Sequence, residues 1–100
     1  MPSISQLRKE EQALHALLFT QAQYKNYIPV KSDSLLQIAE AYYRTSSDSL
    51  HKAWTLFYLA QYYRDSDEKE KALSYFQQAN IASRNIENNQ FKFLLKFALG

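Results

Sequence analysis

The chain carries few side chains able to make or break bonds, and their spacing argues against such work. Nothing pairs its two histidines, His15 and His51, at a metal-ligand spacing, and both read as surface or half-buried residues. Glu10-Glu11, and Glu68 with Glu70, fall where helices should start. There they favour the helix dipole, which accounts for them better than acid–base catalysis does. The run Asp67-Glu68-Lys69-Glu70-Lys71 reads as a solvated first turn in which Asp67 pairs with Lys71. Ser46, Ser47 and Ser49 sit in a loop with no base arranged for them. The chain has no cysteine, which removes disulfides, thiol catalysis, zinc-finger ligation and iron–sulfur ligation. Its only glycine is Gly100, so there is no phosphate-binding loop. The sequence thus points away from an enzyme and implies neither metal nor cofactor. Recognition chemistry remains. Trp54, Phe57, Gln61 and Arg64 recur at three- and four-residue steps and share one helix face. Aromatic and arginine side chains of this kind dominate binding hot spots. The alternative for Trp54 and Phe57 is packing, on the first helix or on the connector at Ile28.

The elements that must position these residues are helices. With 1 Gly and 2 Pro in 100 residues the chain has few helix breakers, and helix formers dominate the rest. Eight Tyr and six Phe are enough for a real core, and the length makes a single domain, residues 1–100. The net charge of +2, with both signs interspersed, is too mild for electrostatic binding of nucleic acid. No segment approaches 18 apolar residues, so nothing in the sequence spans a membrane. Met1-Pro2-Ser3-Ile4 lacks the basic-then-apolar layout of a signal peptide.

The pattern predicts about five helices. The first covers residues 4–26, opened by Ser3 with Gln6, with Leu7, Leu14, Leu17, Leu18, Phe19 and Ala22 on its apolar side. Tyr27-Ile28-Pro29-Val30 is an extended connector, because Pro29 disfavours helix before it. The second helix starts at Ser32-Asp33 and carries Leu35, Leu36, Ile38, Ala39, Tyr42 and Tyr43; together the two make a first hairpin over 4–47. The third and fourth, 49–65 and 67–87, are separated by Arg64-Asp65-Ser66-Asp67, with Asp67 and Glu70 as a capping box. So short a link makes them antiparallel neighbours. A fifth helix begins near residue 90. Phe91, Phe93, Leu94, Leu95 and Phe97 surround most of it, so it needs cover. That cover is either another helix of a longer array or a second copy of the chain in a homodimer.

Within 49–87 stands a spaced set: Leu56, Leu59-Ala60, Tyr63, Ala72, Phe76 and Ala79, with Leu73, Ala82 and Ile86 extending the second stripe. This set resembles the signature of the tetratricopeptide repeat (TPR), a helix–turn–helix unit that holds other proteins. Leu56 stands where Trp is typical, and Arg84 where a Pro often closes the unit. The small Ala60, Ala72 and Ala79 let two helix backbones approach, while Leu59, Tyr63 and Phe76 fill the seam. Leu59-Ala60 is echoed by Leu99-Gly100, 40 residues later, against the 34 usual for the family. The echo suggests that residues 90–100 open a further repeat, and that the first helix is an earlier copy of the third in an ambiguous register. The resemblance implies an all-α, right-handed stack of antiparallel helical hairpins. It also implies a concave groove at Trp54, Phe57, Tyr58, Gln61, Arg64 and Asp65 that takes a protein or peptide. Phe57 and Gln61 do not supply the carboxylate clamp of TPR domains that hold chaperone tails. A structural spacer or self-association module is the competing reading.

Tyr24-Lys25-Asn26-Tyr27-Ile28-Pro29, followed by Ser32-Asp33-Ser34-Leu35, resembles the opening of a group of large bacterial TPR proteins. This likeness covers roughly residues 13–86. Those proteins place their repeats in an exported or membrane-anchored sensor region, and many carry a DNA-binding helix–turn–helix further on. The resemblance makes this chain the interaction end of a larger regulator.

Overall fold

A computed structural model of the chain describes residues 4–84. These residues are all-α: α1 (Ile4–Lys25), α2 (Ser34–Tyr43), α3 (Ser49–Asp65) and α4 (Lys69–Ser83), with no strand among them. None of these helices is long and apolar enough to cross a membrane. The fifth helix and the apolar set Phe91, Phe93, Leu94, Leu95 and Phe97 lie outside the described residues, as do the Ser3 cap and Ile86.

The helices pack as two hairpins. α3 and α4 share the largest interface, α1 packs on α2, and α3 also touches both α2 and α1. In the second hairpin Phe57 meets Phe76 with ring centroids 5.8 Å apart, and Tyr63 stacks on Tyr75 at 5.6 Å. Later residues of α3 thus face earlier residues of α4, so the two helices run antiparallel. The seam is the one read from the sequence: Leu56, Leu59, Ala60, Tyr63, Ala72, Phe76 and Ala79 are all buried. Leu73 is not part of it; it is 53% exposed, because one residue past Ala72 on a 3.6-residue helix points away from the seam.

The first hairpin departs further from expectation. The buried stripe of α1 is Ala13, Ala16, Leu17 and Thr20, while Leu14 is half-buried, Ala22 is exposed, and Leu18 and Phe19 are about half exposed. Small residues take the inner face because α1 lies close to its neighbours, and two of the larger apolar groups are turned outward. The Thr20 hydroxyl is satisfied within the helix by donating to the Ala16 carbonyl at 2.9 Å. In α2, Leu36, Ala39 and Tyr43 are buried, whereas Ile38 is 47% exposed.

These burial patterns fix the register left open by the sequence. Ala13, Ala16, Leu17 and Thr20 of α1 correspond to Ala53, Leu56, Phe57 and Ala60 of α3. Leu36, Ala39 and Tyr43 of α2 correspond to Phe76, Ala79 and Ser83 of α4. Every pair is separated by 40 residues (53 − 13, 83 − 43), and every member is buried. The helix ends repeat too. α1 closes with the Ile28 N–H on the Gln23 carbonyl (2.8 Å) and the Tyr27 N–H on the Tyr24 carbonyl (3.2 Å). α3 closes with the Glu68 N–H on Tyr63 (2.8 Å) and the Asp67 N–H on Arg64 (3.1 Å). Both are Schellman closures, and both place a non-glycine residue at positive φ, Tyr27 at 57° and Asp67 at 62°.

Asp67 therefore ends α3 and does not cap α4. The residue preceding α4 is Glu68, which makes no side-chain capping bond. Lys71 correspondingly pairs with Glu68 at 3.7 Å and lies over the Tyr63 ring, and not with Asp67 as expected. Asp33 precedes α2 without capping it through its side chain. Asp48 does cap α3, its carboxylate accepting from the His51 N–H at 3.1 Å.

Candidate functional site

α3 is the central helix, buried from several directions, and the seam it forms with α1 is lined by aromatic rings. Tyr24 of α1 stacks on Tyr58 of α3 (centroids 5.3 Å, interplanar 10°). Tyr58 in turn stacks on Trp54 (5.6 Å, 20°). Phe57 stands edge-on to Trp54 at 5.8 Å and reaches Phe76 of α4 on its other side. Beside this ladder lies a cleft of about 510 Å³, walled by Gln21, Tyr24, Lys25 and Tyr27 on one side and Trp54, Phe57, Tyr58 and Gln61 on the other.

Four of the six residues expected to form a groove thus line one cleft: Trp54, Phe57, Tyr58 and Gln61. Their exposure differs from expectation. Trp54 and Gln61 are half-buried, but Phe57 and Tyr58 are only 5% and 6% exposed. Phe57 therefore forms the floor of the cleft and does not stand out as an anchor. Arg64 and Asp65 are exposed and are not among the residues that line it. The Arg64 guanidinium donates to Gln61 Oε1 at 2.5 Å and lies 5.8 Å over the Phe76 ring. The Asp65 carboxylate acts on the cleft through its charge on Tyr24.

The α1 wall was not legible as part of a groove. In the sequence Tyr24, Lys25 and Tyr27 stand out only through a family likeness, and Gln21 does not stand out. They join the cleft because the end of α1 packs on α3, with Tyr24 stacked on Tyr58.

Electrostatically the cleft holds neutral phenols and one cation. Burial, reinforced by the Asp65 charge, pushes the Tyr24 hydroxyl well above the ordinary tyrosine range. Burial also raises Tyr58, opposed by a hydrogen bond with Gln21. Neither phenol ionises near neutral pH, so neither is a base or a nucleophile there. Tyr24 Oη is shielded from solvent and has no hydrogen-bond partner among the described residues.

Other hollows lie among the described residues; one is formed by Asp67, Glu68, Lys69, Glu70 and Lys71 alone, and two draw their walls from more than one helix. One of about 280 Å³ lies on the α2–α3–α4 side, where Glu40 and Arg44 pair with each other across one turn at its edge. The other, more open and about 700 Å³, lies along α1 and α2 near His15, Leu35 and Ile38. Neither matches the expected groove. His15 is exposed and stacks on Phe19. His51 is held through Nδ1 by the Asp48 carboxylate (2.5 Å) and stacks on Tyr43. Among the described residues no three His, Cys, Asp or Glu side chains gather as metal ligands.

Comparison with protein-family models, with curated proteins and with solved structures finds no match to this chain.

Proposed function

We propose that the chain is a non-catalytic module that binds a protein or peptide, built on the tetratricopeptide-repeat plan. The observation that carries the reading is the cleft between α1 and α3, with its aromatic floor and its rim of amides and one ammonium. Concave sites in which aromatic rings stand beside polar groups at fixed positions are where proteins take up ligands. An extended peptide suits such a site, because aromatic rings receive its side chains while side-chain amides pair with its main chain. The repeat plan draws support from the buried pairs 40 residues apart and from the two equivalent helix closures. Repeats of this kind bury a continuous core only by stacking on neighbours, which leaves one face of the stack as a binding surface.

A catalytic reading has less to stand on. The groups lining the cleft are amides, neutral phenols, an indole, a phenyl ring and an ammonium, with no nucleophile and base in reach of each other. On the likeness of residues 24–29 and 32–35 to large bacterial TPR proteins, we further assign the module to the interaction part of a bacterial regulatory protein.

The test is amide and indole chemical-shift mapping with pools of synthetic decapeptides. Saturable shifts confined to Gln21, Lys25, Trp54 and Gln61 are expected. Absence of shifts with every pool, or shifts clustered on the opposite side around Glu40 and Lys52, would leave the aromatic ladder as packing and defeat the reading.

A further inference from the structure

The cleft between α1 and α3 is lined by hydrogen-bond donors: the Tyr24 hydroxyl, the Gln21 and Gln61 amides and the Lys25 ammonium. Among the described residues Tyr24 Oη has no partner, so its O–H is a donor without an acceptor. The amide oxygen of Gln61 already accepts from Arg64, and its NH2 group is a further donor. Gln21 is engaged with the Tyr58 hydroxyl. Among the described residues Lys25 is the single charged one lining the cleft, and none of them is a carboxylate. Among the described residues Lys25 takes part in no ion pair.

We propose that the cleft selects an extended acidic peptide, with a main-chain carbonyl accepting from Tyr24 Oη and a carboxylate side chain opposite Lys25. This rests on reading the cleft as a peptide site and names its ligand. The two acceptors are of different kinds for an electrostatic reason. The Tyr24 hydroxyl is buried and feels the charge of Asp65, a setting that suits a neutral carbonyl acceptor better than an anion. At Lys25 no lining carboxylate competes, and an anion is attracted. Tyr24 Oη is closed off in the unbound chain. Among the groups whose charges reach it, Arg64 and Asp65 are exposed side chains at the end of α3. One lysine is too little positive charge for a nucleic-acid backbone, which is held by several cations at once.

The experiment is panning of the full chain against a phage-displayed library of random decapeptides, followed by affinity measurements on synthetic copies of the enriched sequences. Enriched peptides should carry an excess of Asp and Glu. Tyr24→Phe keeps the ring and its stack on Tyr58, so it should leave the fold intact while weakening these peptides roughly tenfold. Lys25→Glu, at an exposed position, should weaken them and turn the enrichment of a fresh panning toward Lys and Arg. Enrichment without acidic bias, or equal affinities for wild type, Tyr24→Phe and Lys25→Glu, would overturn the ligand assignment and leave peptide binding standing. No enrichment by the folded chain would overturn both.

Discussion

The hydroxyl of Tyr63, near the end of α3, donates to the carboxylate of Asp33, the residue before α2, at 2.5 Å. Gln37 Nε2 reaches the same carboxylate at 3.2 Å and the Tyr63 oxygen at 3.4 Å. The three side chains tie the second hairpin to the first, joining Asp33 and Tyr63 across 30 residues of sequence.

This tie should give stability two pH edges. The Tyr63 hydrogen bond, ahead of all other influences, holds the Asp33 carboxyl below its ordinary value, so the stabilisation is present above pH 4 and fades as acid protonates it. The same bond raises Tyr63 to about 12, so its contribution is complete below pH 10 and is lost as pH rises toward 12. Tyr63→Phe should cost roughly 1–2 kcal/mol at neutral pH. In urea denaturation at pH 3, 7 and 11.5, the gap between wild type and variant should be widest at pH 7. A gap that does not change with pH would mean that the phenol acts only through packing.

The register of α1 makes neighbouring leucines behave differently. Leu17 is 2% exposed and Leu18 is 50% exposed. Leu17→Ala should cost about 2–5 kcal/mol, as a truncation in a packed core does. Leu18→Ala should stay within roughly 0.5 kcal/mol. Equal losses in denaturant midpoints would place the helix in another register.

Asp67 adopts a conformation that glycine takes without steric penalty. Asp67→Gly should be neutral or stabilising by up to about 1 kcal/mol, because relief of the left-handed backbone offsets the added freedom of the unfolded chain. Asp67→Val should lose about 1–2 kcal/mol, since a β-branched residue fits that region worst. Melting temperatures of the two variants, moving in the same downward direction by the same amount, would contradict the closure described for α3.

Ala72 is 3% exposed in the seam between α3 and α4. Ala72→Leu should overpack that seam and cost about 1–3 kcal/mol, while Leu73→Ala, one residue along on the exposed side, should be nearly silent. Calorimetry of both variants checks the pair.

The second hairpin was readable because its seam uses residue types whose spacing is distinctive: small Ala60, Ala72 and Ala79 against large Leu59, Tyr63 and Phe76. The first was not, because its inner stripe is Ala13, Ala16, Leu17 and Thr20, while Leu18 and Phe19 supply a stronger apolar signal on the outer side. Hydrophobic periodicity finds the greasiest face of a helix, and in α1 much of that face is not the buried one. The start of α4 misled for a related reason. Asp67 and Glu70 have the spacing of a capping box, but Asp67 had already been used to close α3. In the cleft, Trp54, Phe57, Tyr58 and Gln61 were found from one helix alone. Gln21, Tyr24, Lys25 and Tyr27 required knowing which turn of α1 lies beside α3, a tertiary relationship that residue types do not encode locally.

Trp54 is the sole tryptophan and lines the cleft, so its fluorescence reports directly on the central claim. The decisive measurement is a titration of the chain with an acidic, aromatic-containing decapeptide, read by Trp54 emission, in parallel with the same peptide carrying Lys in place of each Asp and Glu. The account predicts a saturable change with the acidic peptide, lost with its basic counterpart and weakened in Tyr24→Phe. Flat emission with both peptides, in a chain whose helical content is unchanged, would contradict it.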